Sequence, residues 1–169
     1  MDAVLKTKVR DGGLKLDLVR NSALAVELTG DQCAVLADLM SIRDLADGEV
    51  LVKQGASDDQ LYAVVSGALA VAREVDGQWI SLHVLTKGDL AGELAFMDGR
   101  PHYAALRAAG PTRVLGLKRE KLESLLNRDP IVVYRVMGAI FRVLHLILNR
   151  LAMQTSELTN YVFKVHGKY

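Results

Sequence analysis

Between Ser41 and Leu117 a glycine falls about every ten residues, at Gly48, Gly55, Gly67, Gly77, Gly88, Gly99 and Gly110. No other feature constrains the fold as strongly. Between the glycines lie short runs rich in Val, Leu and Ile: EVLVKQG, QLYAVVSG, ALAVAREV, WISLHVL, YAALRAA and TRVLGL. Runs of this length bounded by turn residues read as strands. The segment VDGQ carries the Asp-Gly centre of a hairpin turn. Many short strands at regular spacing predict an antiparallel barrel or jelly roll. Trp79 and Tyr62 are expected to be half-buried strand residues.

The flanks change period. LTGDQCAVLADLM opens with Thr29 and places Gln32 three residues on, a capping-box pattern. Leu28, Val35, Leu36 and Leu39 fall at helical spacing, so a short helix is expected. Residues 1–20, with Gly12-Gly13, read as an N-terminal arm. After Leu117, Leu122, Leu125 and Leu126 define one short amphipathic helix, stopped by NRDP. Asp129 can cap the next helix, and Pro130 sits at its first position, where a missing N–H costs nothing.

That last helix is long and carries a heptad pattern. One seam position is Met137, Leu144, Leu151, Leu158 and Val165; the other is Val133, Ile140, Ile147, Gln154 and Tyr161. Phe141 and Leu148 widen the stripe over its first half. Such patterning is close to that of a coiled coil. The stripe runs past any barrel of this size, which predicts a parallel homodimer joined through Met137, Ile140, Leu144, Ile147, Leu151 and Leu158. A helix packed only within its own domain is the plainer alternative. The expected layout is an arm at 1–20, a β-roll with flanking helices at 21–128, and a dimerisation helix at 129–165.

Bulk properties exclude several classes. A chain of 169 residues, half of them apolar, suits one core with an appended element. A formal net charge of +1 with no dense basic block gives no nucleic-acid or anionic-membrane footprint. The lone Cys33 excludes a disulfide framework. The N-terminal MDAVLKTKVRDGG lacks the apolar core of a signal peptide. Arg142, His145 and Arg150 interrupt the best candidate for a membrane span. A soluble cytoplasmic protein with no membrane partner is the expectation. His83 and His102 form no His-x-His pair, and there is no Gly-x-Ser-x-Gly elbow, so neither a metal site nor an enzyme is expected.

One stretch invites a ligand. In KGDLAGELAFMDG, Gly88 and Gly92 permit tight turning, and Glu93 to Met97 reads as a single helical turn. The first N–H groups of such a turn are unpaired and make a ready anion site. A carboxylate there, Glu93, makes sense if it accepts hydrogen bonds from a sugar hydroxyl. The strand HYAALRA would form the other wall. Taken bare, the pattern also fits a plain turn between strands.

The longer run ADGEVLVKQGASDDQLYAVVSGALAVAREVDGQWISLHVLTKGDLAGELAFMDGRP, followed by ALRA, resembles the cyclic nucleotide-binding domain family. That family includes the catabolite activator protein and the regulatory modules of some kinases and channels. With the flanking helices the resemblance spans about Ser22 to Leu151. It implies an eight-stranded antiparallel jelly roll, mainly β with helices at both ends, followed by the long dimerisation helix.

The family's cassette reads Gly-Glu-Leu-Ala, a spacer, then Pro-Arg-small-Ala-Thr-Val-Arg-Ala. The turn's backbone and the first arginine grip the cyclic phosphate, and the glutamate binds the ribose 2′-OH. Gly92, Glu93, Leu94, Ala95, Pro101, Ala104, Arg107 and Ala108 match. His102 replaces the phosphate arginine, Tyr103 the small residue, and Ala105 the threonine.

An arginine fork on a phosphodiester is worth about 1.5–3 kcal/mol, and a neutral imidazole is a poor substitute. Arg100, two residues away, is a candidate replacement, and the Tyr103 ring could fill the phosphate space. Arg107 falls on the other face of its strand. By resemblance to the catabolite activator branch, Leu144, Ile147 and Leu148 would form a lid over the base.

The resemblance therefore implies a stand-alone regulatory sensor, bacterial in type. Its ligand would be cAMP, cGMP or a related anion held by Gly92, Glu93, Leu94, Ala95, Arg100, His102, Tyr103 and Ala104. It would act as a homodimer on an unidentified protein partner. The sequence ends after the long helix without a helix-turn-helix segment, so no direct DNA binding is expected. The alternative is a degenerate dimeric scaffold whose pocket is plugged by Tyr103 and the apolar lid.

Overall fold

A computed structural model describes the backbone of residues 13–166 and the side chains as far as Ser156. Residues 13–20 are helical (α1). A 3-10 turn at Ala23–Ala25 and helix α2 (Gly30–Leu39) follow. Then come β1 (Ser41–Leu45), β2 (Val50–Val52), β3 (Gln60–Ser66), β4 (Ala68–Val75), β5 (Gln78–Thr86) and β6 (Leu90–Ala91). The chain continues through α3 (Glu93–Asp98), β7 (Ala105–Ala108), β8 (Thr112–Lys118), α4 (Arg119–Glu123) and α5 (Pro130–His166).

The eight strands form two four-stranded antiparallel sheets, ordered β1-β8-β3-β6 and β2-β7-β4-β5. This is the expected jelly roll. β1 and β6 complete the set; neither was among the strands read from the sequence. β1 reads SIRDL, too polar to stand out, and β6 has only two residues. The turn after β4 has positive φ at both Asp76 and Gly77, as a two-residue hairpin needs.

Two apolar clusters share the sheet β1-β8-β3-β6. Tyr62, Val64 and Val114 point into the roll and meet Leu69, Leu85 and Leu106 from the second sheet. Leu61, Ala63, Leu115 and Leu117 point outward and meet the helices through Val19, Leu24, Leu36, Phe96, Leu122, Leu125, Val132, Val136 and Ile140. Because β3 and β8 are covered on both faces, their sequences are continuously apolar rather than alternating. Truncating one of their enclosed leucines to alanine costs about 2–5 kcal/mol. β5 lies at a sheet edge and is exposed along nearly its whole length.

The helical layer follows its sequence signals. Thr29 and Gln32 form the full capping box of α2. Asp129 Oδ1 accepts from the N–H of Val132 at 3.4 Å, and Pro130 opens α5. Val19 of α1 is fully buried, so the C-terminal end of the expected arm belongs to the core; residues 1–12 lie outside the described part. Gln32 and Glu27 accept hydrogen bonds from Arg135 and Arg142, tying α5 to the helical layer.

Three expectations need correction. Tyr62 is buried, not half-buried, because its ring faces the roll interior. Leu126 is exposed, because α4 ends at Glu123 and in the turn that follows Leu125, not Leu126, faces the core. Ile140 is 1% exposed, used by the domain's own core and unavailable to a partner. Met137 and Leu144 also pack at the edge of that core. Further along, Leu148, Leu151 and Met153 are exposed. Leu158 lies on helical backbone, but its side chain is outside the described part. Despite its interruptions at Arg142, His145 and Arg150, Pro130–Ser156 is long and apolar enough to cross a membrane by length and composition; core helices of soluble proteins pass the same test.

Candidate functional site

The cradle lies between β6 and β7, around the N-terminal end of α3. Gly92 is the N-cap, in the left-handed region at φ 80°. A Cβ there would sit 2.8 Å from the Gln60 carbonyl oxygen and 3.4 Å from His102 Cε1. Glycine is therefore required twice over, by conformation and by space. The first intrahelical bond is from Phe96 N–H to Gly92 O at 2.9 Å, so the helix itself makes no use of the Leu94 and Ala95 N–H groups. The buried Phe96 ring pins α3 to the helical core.

Glu93 opens α3. Burial pushes its carboxyl above the usual carboxylate range, and a hydrogen bond from its own backbone N–H offsets this only in part. No basic side chain contributes to its shift. Leu94 is exposed at the rim, whereas Ala95 is buried.

The opposite wall is fastened through its backbone. His102 N–H donates to Ala56 O at 2.9 Å, and Gly55 N–H donates to His102 O at 2.8 Å. The His102 side chain is only 8% exposed, and its Nε2 is buried without a hydrogen-bond partner. Buried polar atoms seldom stay unpaired, and each one needs explaining. Ala104 is buried beside it.

Tyr103 is 65% exposed, so most of its surface is in solvent rather than packed into the cradle. Its hydroxyl is pushed up by partial desolvation and by the negative charge of Glu93. Arg100 lies on the surface, paired with Asp98 and not with a cradle residue. Its side chain is 85% exposed, with Nε 3.5 Å from Asp98 Oδ2, because its backbone N–H is held by Asp98 Oδ1 in the turn after α3. Arg107 lies on the outer face, as expected, donating to Gly48 O at 3.0 Å and lying 5.7 Å from the centre of the Trp79 ring.

The three proposed lid residues differ in their surroundings. Leu144 packs on the helical core, Ile147 is half-buried, and Leu148 is 65% exposed.

One contact at the site had no signal in the sequence. Arg119, at the start of α4, donates from Nη2 to the Ala95 carbonyl at 2.7 Å, where Gly99 N–H also bonds at 2.9 Å. Arg119 thus fastens the far end of α3 to the β8–α4 corner. Beside it a shallow cavity of about 220 Å³ is lined by Ser57, Asp58, Asp59, Gly99 and Arg119. Two carboxylates to one guanidinium give that cavity no surplus of positive charge. Asp58 is in turn held by the Tyr62 hydroxyl at 2.6 Å.

Comparison with known proteins agrees with the geometry. Residues 42–129 match the model of the cyclic nucleotide-binding domain. A cAMP-dependent protein kinase regulatory subunit from Dictyostelium discoideum is 34% identical over 94 residues, 53% of this chain, which spans only 29% of that protein. The N-terminal domain of a transcriptional regulator from Streptomyces coelicolor A3(2) is 31% identical, with a TM-score of 0.66 over 79% of this chain and 94% of that one. The catabolite activator protein of Thermus thermophilus is 27% identical, with a TM-score of 0.63 over 84% of this chain and 64% of that one. The two-sheet roll, the glycine-capped turn bearing Glu93 and the matched span together mean that the chain belongs to the cyclic nucleotide-binding domain family.

Proposed function

We propose that this chain is a regulatory sensor module, without catalytic chemistry, that takes a nucleotide-like ligand in the cradle. cAMP and cGMP are the first candidates, then related anions. The observation that carries this reading is the Gly92–Glu93 turn. A half-buried carboxylate stands ready for sugar hydroxyls, next to two backbone N–H groups that the helix does not use. The module would work in the cytoplasm as a homodimer and signal through contacts with a protein partner. The dimer reading is supported by the exposed apolar residues Phe141, Leu148, Leu151 and Met153 on α5. Ligand binding changes the helix only if it favours one of two arrangements.

Calorimetric titration with cAMP and cGMP tests the reading directly. Saturable binding at micromolar to low millimolar ligand is expected. The missing phosphate arginine favours a second reading, a dimeric scaffold with a decayed pocket. The double variant His102→Arg with Tyr103→Ser separates the two. Gain of cAMP binding means only the cassette has changed, and an inert double variant supports the scaffold. For the dimer, light scattering should give twice the chain mass at micromolar concentration, and Leu151→Asp should halve it. A monomeric wild type overturns the coiled-coil reading.

A further inference from the structure

We infer that the cradle prefers an uncharged nucleoside over the corresponding cyclic nucleotide. This rests on the reading above that the cradle takes a ribose-bearing ligand, and it narrows the chemistry of that ligand. The argument begins with charge. Each arginine in the segment 100–119 has a partner outside the cradle: Arg100 pairs with Asp98 at the surface, Arg107 with Gly48 O, Arg113 with Asp44 at 2.6 Å, and Arg119 with Ala95 O, its Nε remaining buried without a partner. The residue in the position of the phosphate grip is His102, whose imidazole lies against Gly92. A cyclic phosphate in this cradle would bring a second negative charge next to the Glu93 carboxylate, in a partly desolvated place where like charges repel strongly.

Hydrogen-bond inventory points the same way. The cradle offers the Glu93 carboxylate, one of whose acceptor sites its own backbone N–H already takes, and the N–H groups of Leu94 and Ala95 as donors. His102 adds one imidazole nitrogen, Nε2, that is enclosed and without a partner. An imidazole nitrogen donates or accepts according to its tautomer. A phosphodiester only accepts, so a cyclic nucleotide satisfies the two N–H groups and gives Glu93 its 2′ hydroxyl, but its esterified 3′ and 5′ oxygens have nothing to donate. A sugar hydroxyl both donates and accepts. A ribose with free 2′, 3′ and 5′ hydroxyls can donate to Glu93 and accept from the α3 turn, and it can pair with His102 in either tautomer once a small shift of that wall uncovers the enclosed Nε2.

The test is a calorimetric titration of the full chain with adenosine and guanosine, set against cAMP and cGMP, repeated on His102→Arg. The expected result is that at least one nucleoside binds the wild type about tenfold or more tightly than its cyclic nucleotide. His102→Arg should shift that ratio about tenfold or more toward the cyclic nucleotide. If the wild type binds the cyclic nucleotide as tightly as the nucleoside or tighter, the inference falls and the sensor reading stands. If only His102→Arg binds, and only cyclic nucleotide, the inference falls and the cradle is a changed phosphate site. If neither protein binds any of the four ligands, while the variant's melting transition remains cooperative, both readings fall.

Discussion

The two walls of the cradle are held equally firmly but carry different chemistry. On the α3 side, a side chain at Gly92 would clash, Glu93 is half-buried at the first helical position, and the turn matches the family's cassette. On the opposite side, the backbone of His102 is bonded in both directions to residues 55 and 56, yet the side chains depart from the cassette. His102 is enclosed with an unpaired nitrogen, and Tyr103 projects into solvent. The difference teaches that the backbone frame of a ligand site and the charges placed on it are separable. A frame that needs left-handed glycine and close approach tolerates little change. A side chain hung on that frame can change identity while the fold stays as it is.

Each wall can be challenged separately. The largest effect is expected for Gly92→Ala. The new methyl meets the Gln60 carbonyl, and the left-handed backbone adds its own cost, together about 2–4 kcal/mol. Urea denaturation should register this, with ligand binding lost as well. A variant as stable as the wild type would mean that the turn can rearrange, and the rigid-wall half of the comparison would collapse.

Glu93→Gln should act more gently and with opposite signs on stability and binding. Burial raises the Glu93 carboxyl, so between the ordinary Glu range and the raised folded value the native state holds a proton that the unfolded chain has released. Wild-type stability therefore falls as pH rises through that window. The glutamine variant should lack this fall and melt on the order of 2 °C higher at neutral pH, while binding ribose ligands more weakly. Melting curves across pH 4.5 to 8 check the slope; parallel profiles for the two proteins would contradict a desolvated carboxylate. The smallest change is expected for Tyr103→Ser. Its ring is mostly in solvent, so the loss should stay within roughly 0.5 kcal/mol. A larger drop in thermal stability would make Tyr103 part of the wall rather than its ornament.

Much of the fold was legible because backbone punctuation is written in residue types. Glycines marked the turns, Thr29 and Gln32 marked a helix start, and Asp129-Pro130 marked another. β1 escaped because Arg43 and Asp44 face solvent and obscure its pattern. The Gly92–Glu93 turn was legible for the same reason as the strands. The other wall was not, since burial of His102 and exposure of Tyr103 depend on how residues 55–56 grip the chain from far away in sequence. Arg100 was a reasonable candidate by distance along the chain, but a local bond from its own N–H to Asp98 turns it outward. The heptad of α5 likewise could not reveal that Ile140 serves its own domain, because one stripe can meet either a core or a partner.

The bond from Arg119 to Ala95 makes the site a mechanical device as well as a chemical one. α3 is not a loose flap, because its far end is bolted to the corner from which α4 and then α5 depart. α5 runs for 37 residues, about 55 Å at 1.5 Å per residue. If a ligand rocked α3 enough to turn that corner by about 5°, the distal end of α5 would sweep roughly 5 Å, taking the helix as a rigid rod of that length. A displacement too small to notice at the fulcrum becomes one that a neighbouring protein can feel at the tip.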